Sequence, residues 1–578
     1  MKYIYDIKVV KKVKIINFFC LLLATVMVTS CDYLDEKPLN YLQPEERFQE
    51  EAQMELAVHE CYSYLNNGYN NVGGSFLDAA TNDAVYRIEV STVNKLARAQ
   101  YTAGDPGLDI WDRCYSGISQ SFLVEENLHY MNIPKGSSVS DPEAYFESKR
   151  KEFGSEAKMV RAYLYFELLR MYGGVPLVKS RLPLGTKLTD VTRATFAEVV
   201  NYIVQLCNEA AEDHPSIINT TPGRWGKGAA KAIKAKTLAY AASDLYHVGV
   251  ESALNGYMQD NRLTARLSAA EALDDFMKYT EFDLANTYDM FFMAPNNAQF
   301  KKEYIVYKGE PQRNDIEGFL FTPSTGGNGG VYPTQEFVDA FDNADGTIYF
   351  PSVTADGSQY TGRDPRLDKI VIYNGAKVRG STTINTYTGT DETLDGFSVV
   401  HQKSTRTGYY LRKFANYGTV NFDNANPGVT YHINPIIRYA DILLLYAEVM
   451  NELYGPDDAD KFNITALEAI NKVRARGGIT TPLPADISQN ELRSRIVNER
   501  RIELCFEEQR YFDLKRWKIG INELNSPVHG TKITREGDEY MYQKVVVDDS
   551  RKFTEPMYFA PIPYNEQLKL GIEQNKGW

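Results

Sequence analysis

The sequence is poor in the residues that carry most metal and redox chemistry. Its 578 residues include only 6 cysteines and 7 histidines. The cysteines are widely spaced and form no C-x-x-C pair, so they predict neither a disulfide scaffold nor a zinc site. The H-E-x-x-H, G-x-S-x-G and G-x-G-x-x-G patterns of metalloproteases, hydrolases and dinucleotide-binding proteins are also missing. These patterns therefore predict no catalytic residue, no metal ion and no cofactor.

Long hydrophobic runs are missing as well, since none reaches the roughly 20 apolar residues that cross a bilayer. The N-terminal run, residues 15–28, follows five lysines and one aspartate and leads through Thr29 and Ser30 to Cys31. This order is typical of a secretory signal peptide. The cysteine directly after small residues resembles the lipobox of bacterial lipoproteins, which predicts cleavage after residues 1–30 and acylation of Cys31. The alternative is an ordinary cleavage site with a chance cysteine.

Positive charge is scarce in the predicted mature chain. The whole sequence carries a net charge of −13, and removal of residues 1–30 leaves 58 basic and 75 acidic residues. This balance argues against a nucleic-acid partner. It also weakens the case for a strongly anionic ligand, although a local basic patch would override the net value.

Aromatic residues, by contrast, are abundant. The sequence has 40 tyrosines beside 27 phenylalanines and 4 tryptophans. A tyrosine combines a flat apolar face with a hydroxyl group, which suits a surface that stacks on a sugar and hydrogen-bonds to it. The alternative is that most of these tyrosines are half-buried packing residues.

Helical patterns lie toward both ends of the chain. One apolar stripe predicts a helix that ends at Gly173 and Gly174. Capping pairs predict the starts of three more helices, at Thr195/Glu198, Thr465/Glu468 and Ser488/Glu491. We expect the last of these to continue to about Glu508 and a buried helix to cover residues 436–445. Between about residues 290 and 430, glycine, asparagine and threonine predict loops and small sheets laid over this helical scaffold.

Carboxylates need separate attention, because a glycoside hydrolase requires two of them facing one sugar. Six glutamates share helical segments with arginines, an arrangement that usually forms structural ion pairs: Glu448, Glu452, Glu499, Glu503, Glu507 and Glu508. A surface glycoside hydrolase that uses two of them stays open as an alternative.

Seven segments resemble the SusD/RagB family in order and spacing. They are residues 158–178, 332–341, 362–367, 407–414, 434–452, 466–479 and 496–517. The start CDYLDEKP, residues 31–38, is also similar to the family, and Asp35 and Glu36 resemble its signal for export to the cell surface. One departure is Lys576, where the family often has proline. The joint match covers nearly the whole predicted mature chain.

The resemblance implies an all-α dominated, SusD-like fold with tetratricopeptide-like helical hairpins, overlaid by irregular loops and small β-sheets. It implies an N-terminal helical region at 31–280 and a RagB/SusD C-terminal region at 281–578 in one compact body. It also implies a lipid-anchored lipoprotein, exposed on the cell outer membrane, that binds oligosaccharides or polysaccharides without catalysis. Such a protein delivers the glycan to a SusC-like TonB-dependent transporter.

Three alternatives to this role remain open. The RagB side of the family is associated with oligopeptides, and aromatic rings pack on peptides as well as on sugars. The surface glycoside hydrolase described above is the second. The third is a lid for the transporter with negligible ligand affinity of its own.

Ligand contacts are predicted from chemistry, since the recognisable segments belong to the scaffold. Aromatic residues in polar, glycine-rich loops are expected to present a ring face to solvent. The aromatic candidates are Tyr69, Phe76, Tyr86, Trp111, Phe291, Phe292 and Phe319. The expected hydroxyl partners are Asn82, Asp83, Asn296, Asn297 and Asn328.

Overall fold

A computed structural model describes most of the chain. The described residues are 43–66, 71–132, 139–181, 185–187, 191–288, 290–294, 296–309, 311–351, 357–389 and 393–578. Cys31, Asp35, Glu36 and Tyr69 lie outside these ranges. The predictions made for them therefore stay predictions.

The described residues form a body dominated by α-helices. The first nine are α1 Pro44–Arg47, α2 Glu51–Ser63, α3 Thr92–Ala97, α4 Trp111–Asn127, α5 Pro142–Tyr172, α6 Phe196–Asp213, α7 Lys227–Ala241, α8 Arg262–Met277 and α9 Ala298–Glu303. The next nine are α10 Asp315–Leu320, α11 Gln335–Asp339, α12 Arg366–Ile370, α13 Tyr439–Tyr454, α14 Ala466–Gly477, α15 Gln489–Glu503, α16 Arg510–Arg516, α17 Gly520–Glu523 and α18 Tyr564–Leu570.

Consecutive long helices pack against each other. Helix α5 lies between α4 and α6, α7 lies between α6 and α8, and α13 packs on both α14 and α15. Helix α13 also packs on α8, which joins the C-terminal helices to the N-terminal ones. This stacking of neighbouring helices is the arrangement of helical hairpins that the sequence predicts.

The strands are short and form five small sheets in the described chain. They are β1 Ala84–Tyr86, β2 Tyr304–Gly309, β3 Val331–Pro333, β4 Val371–Ile372, β5 Lys377–Val378, β6 Thr382–Thr383, β7 Thr388–Gly389, β8 Tyr410–Leu411, β9 Ile433–Arg438, β10 Val528–Glu536 and β11 Glu539–Asp548. The antiparallel pairs are β1–β3, β2–β9, β4–β8, β5–β6 and β10–β11, and β7 adds to β10 in parallel. Eight of the eleven lie between residues 304 and 438, which confirms the predicted change of character there.

Helix α5 shows how local signals set the scaffold. The Asp141 side chain accepts a hydrogen bond from the backbone N–H of Ala144 at 3.1 Å, and Gly173 ends the helix with φ of +78°. A positive φ favours glycine because a Cβ would be crowded there. Residues 161–172 are buried on every face, so α5 is a central helix of the core.

Two boundaries differ from the prediction. Residues 436–438 belong to strand β9, and the helix begins only at Tyr439, because β9 pairs with β2 along this stretch. Helix α15 ends at Glu503 and not near Glu508. Phe506 and Glu508 have φ of +58° and +61°, which a right-handed helix does not contain.

One continuous apolar core runs from Phe48 to Ile572 in the described chain. All four described cysteines are buried in it, and burial raises the pKa of Cys114, Cys207 and Cys505 to about 12. Cys207 and Cys505 are thus packing residues, as predicted. Within the same ranges, no helix combines the length and the apolar character that a bilayer crossing needs.

Candidate ligand-binding cleft

A cleft of about 630 Å³ opens beside the loop that follows strand β8. This loop supplies most of the lining, helix α12 and the β5–β6 turn supply one wall, and the segment before α9 supplies the other. The lining residues are Tyr288, Phe291, Phe292, Lys369, Arg379, Gly380, Arg412, Lys413, Phe414, Ala415, Asn416, Tyr417, Gly418, Thr419, Asn421 and Asn424. Its volume is within the usual range for small-molecule sites.

Packed aromatic rings form the floor of the cleft. The Phe291 ring contacts those of Phe414 and Tyr288 at centroid distances of 5.0 and 5.6 Å. Behind it, Phe414 stacks on Phe76 at 6.1 Å. Phe291, Phe414 and Tyr288 are buried, whereas Phe292 is half-buried. Phe292 is therefore the ring best placed to meet a ligand.

The backbone at Phe414 is unusual, with φ of +70°. A bulky residue occupies this left-handed region at a cost of about 1–3 kcal/mol, which the surrounding packing has to offset. Such strained residues cluster at ligand sites. The Phe414 ring packs on Phe291, and the residues that follow Phe414 line the cleft.

The loop that follows is ordered by its own hydrogen bonds. The Asn416 side-chain oxygen accepts from the backbone N–H groups of Gly418 and Thr419, both at 3.2 Å. Its amide nitrogen donates to the Thr430 hydroxyl at 2.9 Å. The Asn421 side-chain oxygen accepts from the N–H of Asp423 at 3.0 Å. These Asx turns hold the loop in one conformation, which lowers the entropy cost of binding.

Three of the lining cations have partners of different kinds. Lys413 Nζ lies 2.7 Å from Glu507 Oε1, and its side chain is fully buried. Arg379 Nη1 lies 3.0 Å from Asp423 Oδ2 at the cleft edge. Arg412 Nη1 donates to the Lys377 carbonyl at 3.1 Å, an uncharged partner.

The structure brings two of the predicted residues, Phe291 and Phe292, to the cleft. Phe76 and Phe319 stack at 6.3 Å behind the floor, and Tyr86 lies 6.4 Å from Phe319. Phe319 is half-buried, but Phe76 and Tyr86 are buried. The expectation that these two loop rings face solvent is wrong, because they pack into the core.

Trp111 also fails that expectation. It is the first residue of α4, is buried, and packs on Tyr115 and Tyr172 at centroid distances of 5.0 and 5.3 Å. The stripe of aromatic neighbours along α4 and α5 makes it a packing residue of the scaffold.

The predicted polar residues are spread over the molecule. Asp83 is buried, and Arg501 Nε donates to its Oδ1 at 2.6 Å, so it is part of an ion pair. Asn82 donates to Glu523 at 3.2 Å, and Asn328 donates to the Gly318 carbonyl at 2.9 Å. Asn296 and Asn297 are exposed at the start of α9. None of these five is among the residues that line the cleft.

Sequence reasoning missed most of the cleft-forming loop. Arg412 lies in a segment that the family resemblance marks as scaffold, and Asn416, Asn421 and Asn424 follow it. The composition of residues 421–428, three asparagines with an aspartate, proline and glycine, was a signal of an exposed polar loop. The sequence alone did not show that this loop meets Phe291 and Phe292, which lie more than 100 residues earlier.

The helical glutamates form structural pairs, as predicted. Arg366 binds Glu499 at 2.5 Å and Glu503 at 3.1 Å, and Arg438 binds Glu507 at 2.8 Å. Arg516 holds Glu448, and Arg266 lies 3.2 Å from Glu452. Glu508 is the exception, since it accepts from the Asn66 amide at 2.9 Å. We call Arg366, Arg438 and Arg500 with their carboxylate partners the buried ion-pair network.

The pKa values of two carboxyl groups in this network are strongly lowered. Burial raises the pKa of Glu503, but nearby Arg476, Arg438 and Arg366 outweigh it and lower the pKa to about 2. Asp441, between Lys236 at 2.8 Å and Arg500 at 2.9 Å, also has its pKa lowered to about 2. Both carboxylates are therefore ionised at neutral pH.

A second cavity, of about 220 Å³, lies between helices α7, α13 and α15 beside Trp517. Its lining carries both signs of charge, since Arg493 pairs with Glu452 and Arg266 lies 3.2 Å from the same carboxylate. Within the described ranges, no group of three or more His, Cys, Asp or Glu side chains is arranged to hold a metal ion.

Comparison with known proteins places this geometry in a family. A model described as the SusD family matches residues 289–578, half of the chain, and a model described as starch-binding associating with outer membrane matches residues 32–238. The chain therefore belongs to the SusD family. The description of the second model points to association with the outer membrane.

Individual relatives agree with this assignment. SusD-like protein P2 of Formosa agariphila is 25% identical over 537 residues, covering 89% of this chain and 92% of that protein. A crystal structure of a SusD-like protein from Bacteroides fragilis has a TM-score of 0.75 at 24% identity, covering 94% of this chain and 100% of its own. A SusD-like carbohydrate binding protein from the same organism has a TM-score of 0.71 at 25% identity, covering 90% and 98%. The helix-dominated, SusD-like fold predicted from the sequence is confirmed.

Proposed function

We propose that this protein is a non-catalytic outer-membrane lipoprotein that captures oligosaccharides in the cleft and delivers them to a SusC-like TonB-dependent transporter. The observation that carries the proposal is the preorganised loop of residues 416–424 beside Phe292. A half-buried ring with amide and hydroxyl groups around it matches a sugar, which has apolar faces and a hydroxyl rim.

Membership of the SusD family supports the carbohydrate class of the ligand. The structural relative from Bacteroides fragilis is named a carbohydrate binding protein. The lipid anchor at Cys31, surface exposure and the SusC-like partner rest on the N-terminal sequence and on the family resemblance. The anchor, the surface exposure and the partner are therefore part of the proposal, as is the binding of a glycan.

The absence of turnover is supported by the lining of the cleft. Glycoside hydrolysis needs two carboxyl groups about 5 to 9.5 Å apart across the scissile bond. No aspartate or glutamate is among the residues that line this cleft in the described chain. Five of the six glutamates that the sequence offers for that role bind arginines instead, as in the Arg366 and Arg438 clusters. A glycoside hydrolase is therefore the weaker hypothesis.

The first experiment is affinity-gel electrophoresis of residues 32–578, which include every described residue, against a panel of plant, microbial and host polysaccharides. Retardation by one class of polysaccharide without release of reducing ends is the expected result. Release of reducing ends would contradict the non-catalytic assignment. Calorimetry with a peptide mixture runs in parallel, because heat from peptides alone would move the protein to the oligopeptide hypothesis. If neither polysaccharides nor peptides bind, the remaining hypothesis is a lid for the transporter with negligible ligand affinity of its own.

The anchor and the partner have their own tests. Metabolic labelling with a palmitate analogue is expected to mark the full-length protein, and Cys31→Ala is expected to abolish the label. Co-purification of a tagged full-length chain from outer membranes is expected to recover a TonB-dependent transporter. An unlabelled wild-type protein would contradict the anchor, and recovery of the chain alone would contradict the partnership.

A further inference from the structure

The carboxylate of Glu317 lies behind the wall of the cleft. Glu317 is the third residue of α10, is fully buried, and is not among the residues that line the cleft. Its Oε1 accepts a hydrogen bond from the backbone N–H of Asn416 at 3.1 Å, and its Oε2 lies 3.0 Å from Nε2 of His432. A ligand in the cleft therefore senses Glu317 only through the residues that Glu317 holds.

The first of these contacts fixes the polar loop of the cleft. The Asn416 side chain closes two turns within the loop, which set its shape but not its position on the protein. The bond from the Asn416 N–H to Glu317 ties the loop to α10. The residue two places before α10 holds the far end of the same stretch, because Arg313 and Thr430 exchange backbone hydrogen bonds of 3.0 Å. The start of α10 is thus the base on which the loop rests.

The second contact leads to the aromatic side of the cleft. His432 is buried directly before strand β9. Its ring meets the ring of Phe292 edge to face, with a centroid distance of 6.3 Å and an interplanar angle of 81°. Aromatic rings favour this arrangement because the edge of one is electropositive and the face of the other electronegative. Glu317 therefore reaches both sides of the cleft, Asn416 directly and Phe292 through His432.

Glu317 differs in its partners from the carboxylates of the buried ion-pair network. Glu503 and Glu507 bind arginines of the scaffold, whereas the ion pair of Glu317 is with His432, next to the cleft. A buried carboxylate is costly unless its oxygens are hydrogen-bonded, and an apolar side chain of similar shape would fill the same space without that cost. What the carboxylate adds is direction, since it fixes the residues that it contacts in one arrangement.

We propose that Glu317 and His432 are the positioning pair of the cleft, which holds the Asn416 loop and the Phe292 ring in one fixed arrangement for the glycan. This inference rests on the proposed glycan capture and assigns a role in it to two residues that do not touch the glycan. A site that is ordered before binding loses less entropy on binding. Loss of the pair therefore lowers affinity although every contact group of the cleft is still present.

The first measurement needs no ligand. Hydrogen–deuterium exchange of residues 32–578, read at peptides that cover 416–424, compares the wild type with Glu317→Ala. The variant is expected to exchange about tenfold faster there, the usual effect of losing a buried hydrogen bond. Glu156→Ala is the matched control, because Glu156 is equally buried and binds Arg224 and Tyr62 outside the cleft. It should leave exchange at 416–424 unchanged.

The second measurement is affinity. Affinity gels with soluble starch, laminarin and xylan as probes give the Kd of the wild type for each polysaccharide that retards it. Glu317→Ala is expected to raise this Kd about tenfold. Glu317→Gln should raise it at most about twofold, because its amide oxygen still accepts from the Asn416 N–H. His432→Phe keeps a ring beside Phe292 but loses the contact with Glu317, and it replaces Glu317→Ala if that variant does not fold.

A double-mutant cycle separates positioning from a general loss of stability. If the pair positions Phe292, then Phe292→Ala costs less affinity in the Glu317→Ala background than in the wild type. The combined rise in Kd should fall short of the product of the two single effects by about threefold or more. Single effects that multiply fully would overturn the link between Glu317 and Phe292.

The outcomes separate the inference from the proposed function. Retardation of the wild type with unchanged exchange at 416–424 in Glu317→Ala would overturn the positioning pair and leave glycan capture standing. Faster exchange with an unchanged Kd would overturn it as well, because the order of the loop would then not serve binding. No retardation of the wild type by these three probes or by the polysaccharide panel would overturn glycan capture, and with it the role of the pair in affinity.

Discussion

The buried ion-pair network and the cleft use the same side chains in opposite ways. In the network, Arg438 alone contacts three carboxylates, Glu303 at 2.7 Å, Glu503 at 3.0 Å and Glu507 at 2.8 Å. In the cleft, Lys369, Arg379, Arg412 and Lys413 line one surface, and none of the described lining residues is an aspartate or a glutamate. The two regions are neighbours, since Lys413 lines the cleft and binds Glu507 of the network.

This contrast teaches what each region is built to do. A charge away from water is stable only when partners replace its hydration, so the network must balance itself. In a cleft open to water, the solvent hydrates polar and charged groups, and those groups remain available to a ligand. Mutations in the network should therefore change stability, and mutations in the cleft should change binding.

The largest effect is expected from Arg438→Met. The substitution leaves Glu303, Glu503 and Glu507 buried with one cation fewer, and breaking one side of a buried pair costs about 3–5 kcal/mol. The free energy of unfolding, measured in denaturant at pH 7, checks it. Arg493→Met, at a half-exposed pair with Glu452, is the control and should cost at most about 1 kcal/mol. Equal losses would remove the distinction between buried and exposed pairs.

Acidification should destabilise the protein through protonation of Asp441 in the buried ion-pair network. Its pKa is about 2 in the fold and ordinarily 3.8, so its contribution is complete above pH 4 and is lost as the pH falls toward 2. Asp441→Asn lacks this contribution, and its deficit against the wild type should shrink by about 2 kcal/mol between pH 5 and 2. Unfolding measured across that range checks the sign. A deficit that grows on acidification would contradict the ionised assignment.

Glu508 should behave in the opposite way, because it has no cation on its carboxylate among the ion pairs of the described chain. Burial raises its pKa from 4.5 to about 7, so its contribution to stability is present below pH 4.5 and is lost as the pH rises through 7. Glu508→Gln should therefore be more stable than the wild type at pH 8, by about 1–3 kcal/mol, and no more stable at pH 4. Thermal unfolding at the two pH values is the measurement.

The smallest effect on stability is expected from Phe292→Ala in the cleft. The ring is half-buried, so the free energy of unfolding should change by less than about 1.5 kcal/mol, while glycan affinity should fall about two- to tenfold. Phe350→Ala, at a ring that is 80% exposed outside the cleft, is the matched control and should leave the affinity unchanged. A Phe292 variant that loses stability but keeps affinity would make the ring part of the scaffold.

The scaffold was predictable because its signals are local. The capping pairs at Thr195, Thr465 and Ser488 all form, with the predicted glutamate three residues later. The end of α15 was not predictable, since the turn at Phe506 is held by a distant residue. Its N–H donates to Asp78 at 2.8 Å, across a sequence separation of 428.

The cleft was predictable only in part, because contacts between residues far apart in the sequence form it. Phe291 and Phe292 stand out in the sequence. They form a cleft only together with Arg412 and Asn416, which tertiary packing brings to them. Polar glycine-rich loops also misled the prediction at Phe76 and Trp111. Trp111 instead begins helix α4, and the Phe76 ring packs into the core, so neither is presented to solvent by a loop.

The contacts across the chain also set an order for folding. Arg551 donates to the carbonyls of Ala79 and Thr81, 472 and 470 residues away, and Asp83 receives Arg501 from 418 residues away. A chain that emerges from its N-terminus presents these acceptors long before their donors exist. The segment of residues 79–83 therefore completes these hydrogen bonds only when the C-terminal residues are present. A chain that ends before Arg551 would leave the carbonyls of Ala79 and Thr81 without these donors.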